Sequence, residues 1–92
     1  MTTSTQQKLT NAYNEFIRDY VEAHGQSQAT RDEAHERAAW CVSLGQSVAE
    51  MFVKFKLDPA NTDYVVCGIP EIEVDEAYLV ACAVAVALEE VK

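Results

Sequence analysis

From Ala77 to Leu88 every side chain is apolar, and no other feature of the chain restricts its fold as strongly. The run is shorter than the roughly 18–20 residues that cross a bilayer, so it has to be covered by protein. Its alanine-rich composition favours helix over strand, despite Val80, Val84 and Val86. A helix that is apolar all round is either central or part of an oligomer interface. The expected helix spans Glu76–Val91, with Asp75 as its N-cap and Glu76 in the first turn, where the helix dipole favours an anion.

Two further helices are legible. Over residues 5–24, Leu9, Tyr13, Phe16, Ile17 and Tyr20 fall on one stripe, and Gly25 supplies a stop. A second helix is expected to begin at Thr30, paired with Glu33 as a capping box. Its inner stripe is Ala34, Ala38, Cys41, Gly45, Val48, Phe52 and Phe55, flanked by Trp40, Leu44 and Met51 on one side and Val42, Ala49 and Val53 on the other. That arc covers roughly 200°, where a surface helix needs little more than ~100°. The small residues of its first half invite close approach of a neighbouring backbone, and Phe52 and Phe55 push that neighbour away at the other end, so a crossing is expected rather than a parallel pair.

Pro59 ends the second helix. Tyr64–Cys67 is short and β-branched, and Glu71–Val74 alternates with period two after Gly68-Ile69-Pro70, so the segment between the second and third helices is expected to be extended or a small hairpin. The fold class is therefore mainly α: a small three-helix domain with a short extended or hairpin segment between helices 2 and 3, all of 1–92 forming one compact domain.

Charge is distributed unevenly. Residues 1–57 and 58–92 carry −1 and −7 of the formal −8. Direct binding to nucleic acid or anionic lipid is disfavoured, because each phosphate contact needs a cation and the chain has 7 Lys and Arg. Cys41, Cys67 and Cys82 are odd in number, widely spaced and set among apolar residues, which is the pattern of reduced, buried thiols. The first residues, Met1–Gln7, have neither a basic region nor an apolar one, so a cytoplasmic protein without a membrane partner is expected.

No motif for catalysis stands out, and no enzyme, metal or cofactor is expected. A zinc site would need Cys41, Cys67 and Cys82 to converge with His24 or His35, yet no pair has the close spacing that anchors such sites. A nucleophilic thiol needs an electropositive, exposed setting, and these cysteines have apolar neighbours. The group Arg31-Asp32-Glu33-Ala34-His35-Glu36-Arg37 holds only one Asp-x-x-His pair, too few ligands for a carboxylate-bridged metal centre. A solvated first turn with a Glu33–Arg37 pair accounts for it.

The acids Glu71, Glu73, Asp75 and Glu76 lie within six residues with no cation among them. Glu89 and Glu90 sit at a helix C-terminus, where the dipole disfavours anions by ~0.3–1 kcal/mol each. These six are the candidate partner-binding residues, and solubility alone is the competing use for them. The expected partner is a basic surface of a protein or nucleoprotein complex. In size and charge the chain resembles phage-encoded inhibitors of restriction or CRISPR complexes, some of them nucleic-acid mimics, a likeness of class carried by no motif. The other function expected is a homo-oligomeric helical adaptor or regulatory subunit, a homodimer meeting through exposed positions among Tyr78, Val80, Val84 and Val91.

Overall fold

The computed structural model describes residues 4–90. Four α-helices follow in order: α1 (Thr5–His24), α2 (Gln28–Lys54), α3 (Thr62–Cys67) and α4 (Val74–Glu90), with a 3-10 turn over Pro59–Asn61 leading into α3. The fold is mainly α, and the three long helices are those the periodicity marks out. The end of the third long helix expected at Val91 lies outside the described residues.

Local chemistry explains the boundaries. Ser4 caps α1, accepting from the Gln7 amide, and Gly25, at φ 110°, closes it with its N–H on the Val21 carbonyl. The expected capping box at Thr30 is replaced by an earlier start. Ser27 takes the extended cap conformation and its hydroxyl accepts from the Thr30 amide at 3.2 Å, so Thr30 already lies in the first turn of α2. At the far end, Leu57 N–H bonds the Phe52 carbonyl and Lys56 N–H the Val53 carbonyl. Lys56 takes the positive φ of 55° that this C-terminal motif requires.

No strand occurs among the described residues, so the extended segment is corrected. Pro59 ends one helix and also starts the next: its fixed φ suits a first helical position, and the Asp58 carboxylate caps the turn through the Ala60 amide at 2.9 Å. The β-branched run Thr62–Cys67 then continues as α3, because in that conformation Val66 is buried and Val65 packs against the core. Pro70 and Glu71 turn the chain into α4, with Glu71 at φ 66°.

The α1/α2 pair is antiparallel, with the Tyr13 ring 6.0 Å from that of His35. On this pair lies α4. It runs antiparallel to α1, since the Thr5 hydroxyl donates to Glu89, and in the same direction as α2, since Arg37 meets Glu76 and Gly45 meets Ala83. The short α3 rests on α4. Leu79, Val80, Ala83 and Val84 are buried, so the apolar girth of α4 is met largely within the chain. Of the positions expected to mediate a homodimer, Val80 and Val84 are enclosed, Tyr78 is exposed and Val91 lies outside the described residues.

The α2–α4 contact is closest at Gly45, where an added Cβ would lie 2.4 Å from Ala83 Cβ and 2.9 Å from the Val80 carbonyl oxygen. Small residues on α2 thus do admit a neighbouring backbone. Alanine at Gly45 would gain about 1 kcal/mol of helix propensity but meets backbone that cannot rotate away, a conflict at the upper end of the overpacking range, about 2–3 kcal/mol. Gly45→Ala is therefore expected to lower the urea-unfolding free energy by about 1–2 kcal/mol. Gly68→Ala, whose new Cβ would meet nothing nearer than 3.4 Å, should stay within about 0.5 kcal/mol of the parent. Equal stability of the two variants would disprove the close approach.

Candidate acidic docking site

The site is organised around a carboxylate that water barely reaches. Glu76 is 2% exposed. One of its oxygens accepts from the Arg37 guanidinium and from the Cys41 thiol, the latter at 3.8 Å. The other accepts from the Glu73 backbone N–H at 3.3 Å, while the Ala77 N–H bonds the Glu73 carbonyl. Glu73 therefore stands at the N-cap position and Glu76 three residues on reaches back to it, the carboxylate half of a capping box. Asp75 lies inside the first turn of α4 and is not its cap.

Arg37 bridges two environments. Its guanidinium pairs with Glu76 and stacks over the Trp40 ring, 4.6 Å from the centroid. Above this pair opens a cavity of about 510 Å³ where α1, α2 and the start of α4 meet. Phe16, Tyr20 and His24 give it aromatic walls, and Asp19, Glu33, Glu73, Asp75 and Glu76 give it carboxylates. Arg37 is the only Lys or Arg in the lining among the described residues. Partial desolvation, then the charge of Glu33, raises the Tyr20 phenol above its ordinary value, with Arg37 opposing. Carboxylates that line one cavity act on a visitor together wherever it comes within the ~8 Å screening length of physiological salt.

The six acids singled out on sequence do not form one face. Glu73 and Asp75 line the cleft, and Glu71 is exposed on the turn before it. Glu76 is corrected from a surface acid to a buried, paired one. Glu89 and Glu90 lie at the other end of α4, about 20 Å away along the helix. There Glu89 accepts from Thr5, in a first turn of α1 that has no acid of its own. The α1 dipole thus compensates a carboxylate that the α4 dipole disfavours. Sequence reasoning missed Asp19 and Glu33, which converge with Glu73 and Asp75 only through helix packing. The expected Glu33–Arg37 pair is replaced by Arg37–Glu76, which leaves Glu33 facing the cleft.

The thiols also divide. Cys41 is buried, Cys82 half-buried and Cys67 exposed, which corrects the expectation of three buried thiols. Burial, then the neighbouring Glu76 charge, pushes Cys41 up to about 12, with Arg37 opposing. Burial likewise raises Cys82. Among the described residues no group of three or more His, Cys, Asp or Glu is arranged to hold a metal ion, and no helix is long and apolar enough to cross a membrane. Compared with known proteins, the chain matches no family model, no curated protein and no solved structure.

Removing the cation while the acid stays buried should be damaging. Arg37→Ala is expected to cost about 3 kcal/mol in urea unfolding, the low end for an orphaned buried charge because Arg37 is itself partly solvated. Arg37→Met combined with Glu76→Gln should cost less than the two singles together. A loss below about 0.5 kcal/mol for Arg37→Ala would mean that the pair does not hold the fold.

The Cys41 shift carries its own pH signature. An unfolded thiol ionises near 9.0 and the folded one near 12, so the stabilisation is complete below the lower value and is lost as pH rises towards the upper one. Stability is expected to fall over that window, less steeply in Cys41→Ala. A thiol-specific reagent at neutral pH should modify Cys67 promptly and Cys41 only on unfolding. Identical pH slopes, or rapid labelling of Cys41 in the folded chain, would contradict this placement.

Proposed function

We propose that this chain is a small non-enzymatic binding protein that presents its acidic cleft to a basic surface of a larger protein or nucleoprotein complex, acting as an inhibitor or decoy. One observation carries the reading. Carboxylates from α1, α2 and the start of α4 are gathered around one cavity whose only Lys or Arg among the described residues, Arg37, is committed to Glu76. Their mutual repulsion is left for a visiting cation to relieve. Glu71 adds to this, since a charged side chain is kept at φ 66°, a conformation that glycine adopts without the steric penalty. A basic surface that ordinarily holds nucleic acid is the target whose charge fits best, by likeness of class to phage inhibitors of restriction and CRISPR complexes.

The adaptor reading has a specific observation of its own, the exposed Trp40 and Met51 of α2 and Phe55 at its C-terminal end. The two readings part on salt. Immobilised protein should retain basic partners from a lysate of its native host at low salt, and should release them to high salt and to added duplex DNA. The combined substitutions Glu33→Gln, Glu73→Gln and Asp75→Asn should weaken retention about tenfold or more, equivalent to about 1.4 kcal/mol, and flatten the salt dependence. Glu36→Gln with Glu50→Gln, exposed acids outside the cleft, is the control. Equal loss in both variants, or retention indifferent to salt, would assign the acids to solubility and favour the adaptor.

A further inference from the structure

The flank of α2 that continues from the cleft is apolar and open. At 100° per residue, Glu33, Arg37, Trp40, Leu44, Met51 and Phe55 fall within about 60° of one another around the helix axis. His35 and Val42, which meet or line the groove beside α1, lie about 180° from that stripe by the same spacing. The buried positions Cys41, Gly45, Val48 and Phe52 lie between the two flanks and face α4 and the core. Trp40 is 42%, Met51 36% and Phe55 62% exposed, while α3 rests on α4 and leaves this flank uncovered. Glu33 and Arg37 line the cleft, and Arg37 stacks on Trp40, so acidic cavity and apolar stripe form one continuous surface. From Trp40 to Phe55 the stripe runs about 22 Å along the helix.

We infer that this surface takes a basic amphipathic helix of a partner protein, its apolar side chains along Trp40, Leu44, Met51 and Phe55 and its cations at one end in the cleft beside Glu33, Glu73 and Asp75. Two complementarities select that occupant. An apolar stripe several helical turns long matches anchors spaced i, i+3, i+4 and i+7 on a docking helix. The uncompensated carboxylates at its N-terminal end match Lys or Arg at one end of that helix. A second copy of this chain matches less well, because it brings another formal −8 to the same flank. The inference rests on the acidic-docking reading and adds to it the form of the partner and the apolar half of the contact.

Trp40 is the only tryptophan in the chain and lies within the stripe, so its emission reports occupancy directly. The probe is a synthetic peptide of about 16 Lys and Leu residues, long enough as a helix to cover the stripe, with Leu at helical spacing. A scrambled peptide of the same composition is the comparison. The patterned peptide should shift Trp40 emission to the blue in a saturable way and bind at least tenfold tighter than the scrambled one. Met51→Ser with Phe55→Ser should weaken it at least tenfold, and Glu73→Gln with Asp75→Asn should weaken it and reduce its salt dependence, with helicity unchanged in both variants by circular dichroism. Equal binding of the two peptides would overturn the inference and leave acidic docking in place. A blue shift on raising the protein concentration without peptide would overturn it in favour of a second copy. Binding of neither peptide would overturn it as well, and the salt and DNA competition of the lysate experiment would then decide on the acidic cleft by itself.

Discussion

Burial of the Glu76 carboxylate is the constraint around which the rest is arranged. A carboxylate 2% exposed is tolerable only where its oxygens are occupied, and here they accept from Arg37, Cys41 and the Glu73 amide. Those partners come from α2 and the turn between α3 and α4. One side chain thereby caps α4, fixes its start against α2 and sets the direction of the Arg37 guanidinium. With Arg37 drawn to Glu76, the acids above have no further Lys or Arg beside them among the described residues of the cavity wall. The electrostatics of the cleft follow from how the fold satisfies one buried charge.

Close packing at Gly45 sets the second constraint. With Ala83 and the α4 backbone seated on Gly45, α4 sits deep between α1 and α2, and the principal extents are 43 × 35 × 16 Å. A radius of gyration of 13.6 Å, against the ~12 Å of a rounder domain of this length, shows that the molecule is a thin slab. Thin slabs bury a smaller share of apolar surface than spheres do, and part of the shortfall falls on the flank of α2 that faces neither α1 nor α4. Trp40, Met51 and Phe55 are exposed for that reason.

The long helices were legible because their apolar positions repeat at the helical period and because Gly25 and Pro59 mark the ends of the first two. Local competition decided the details. Ser27 caps α2 ahead of Thr30 since its extended backbone places the hydroxyl under the Thr30 amide. The Val65-Val66 pair looked like strand, yet burial of Val66 against the bundle outweighed β-propensity once Asp58 and Pro59 had set a helical turn. The site was less legible than the fold. A run of acids in sequence shows no difference between Asp75, which faces water, and its neighbour Glu76, which faces Arg37. Nor does it show that Asp19 and Glu33, in separate helices, would join them.

The acids of the last third of the chain, and those of α1 and α2 that join them at the cleft, therefore resolve into unlike parts. Glu76 is neutralised by an ion pair, and Glu89 is compensated by the Thr5 hydroxyl and the start of α1. Asp19 is shared with Arg18 at 3.4 Å, a contact exposed enough to matter little. Glu33, Glu73 and Asp75 form no ion pair among the described residues, although Lys at any of these positions would relieve the repulsion. Solubility would be served by acids spread anywhere on the surface. Acids left unpaired around one cavity, at the head of an uncovered apolar flank, are arranged where a cationic visitor gains from both.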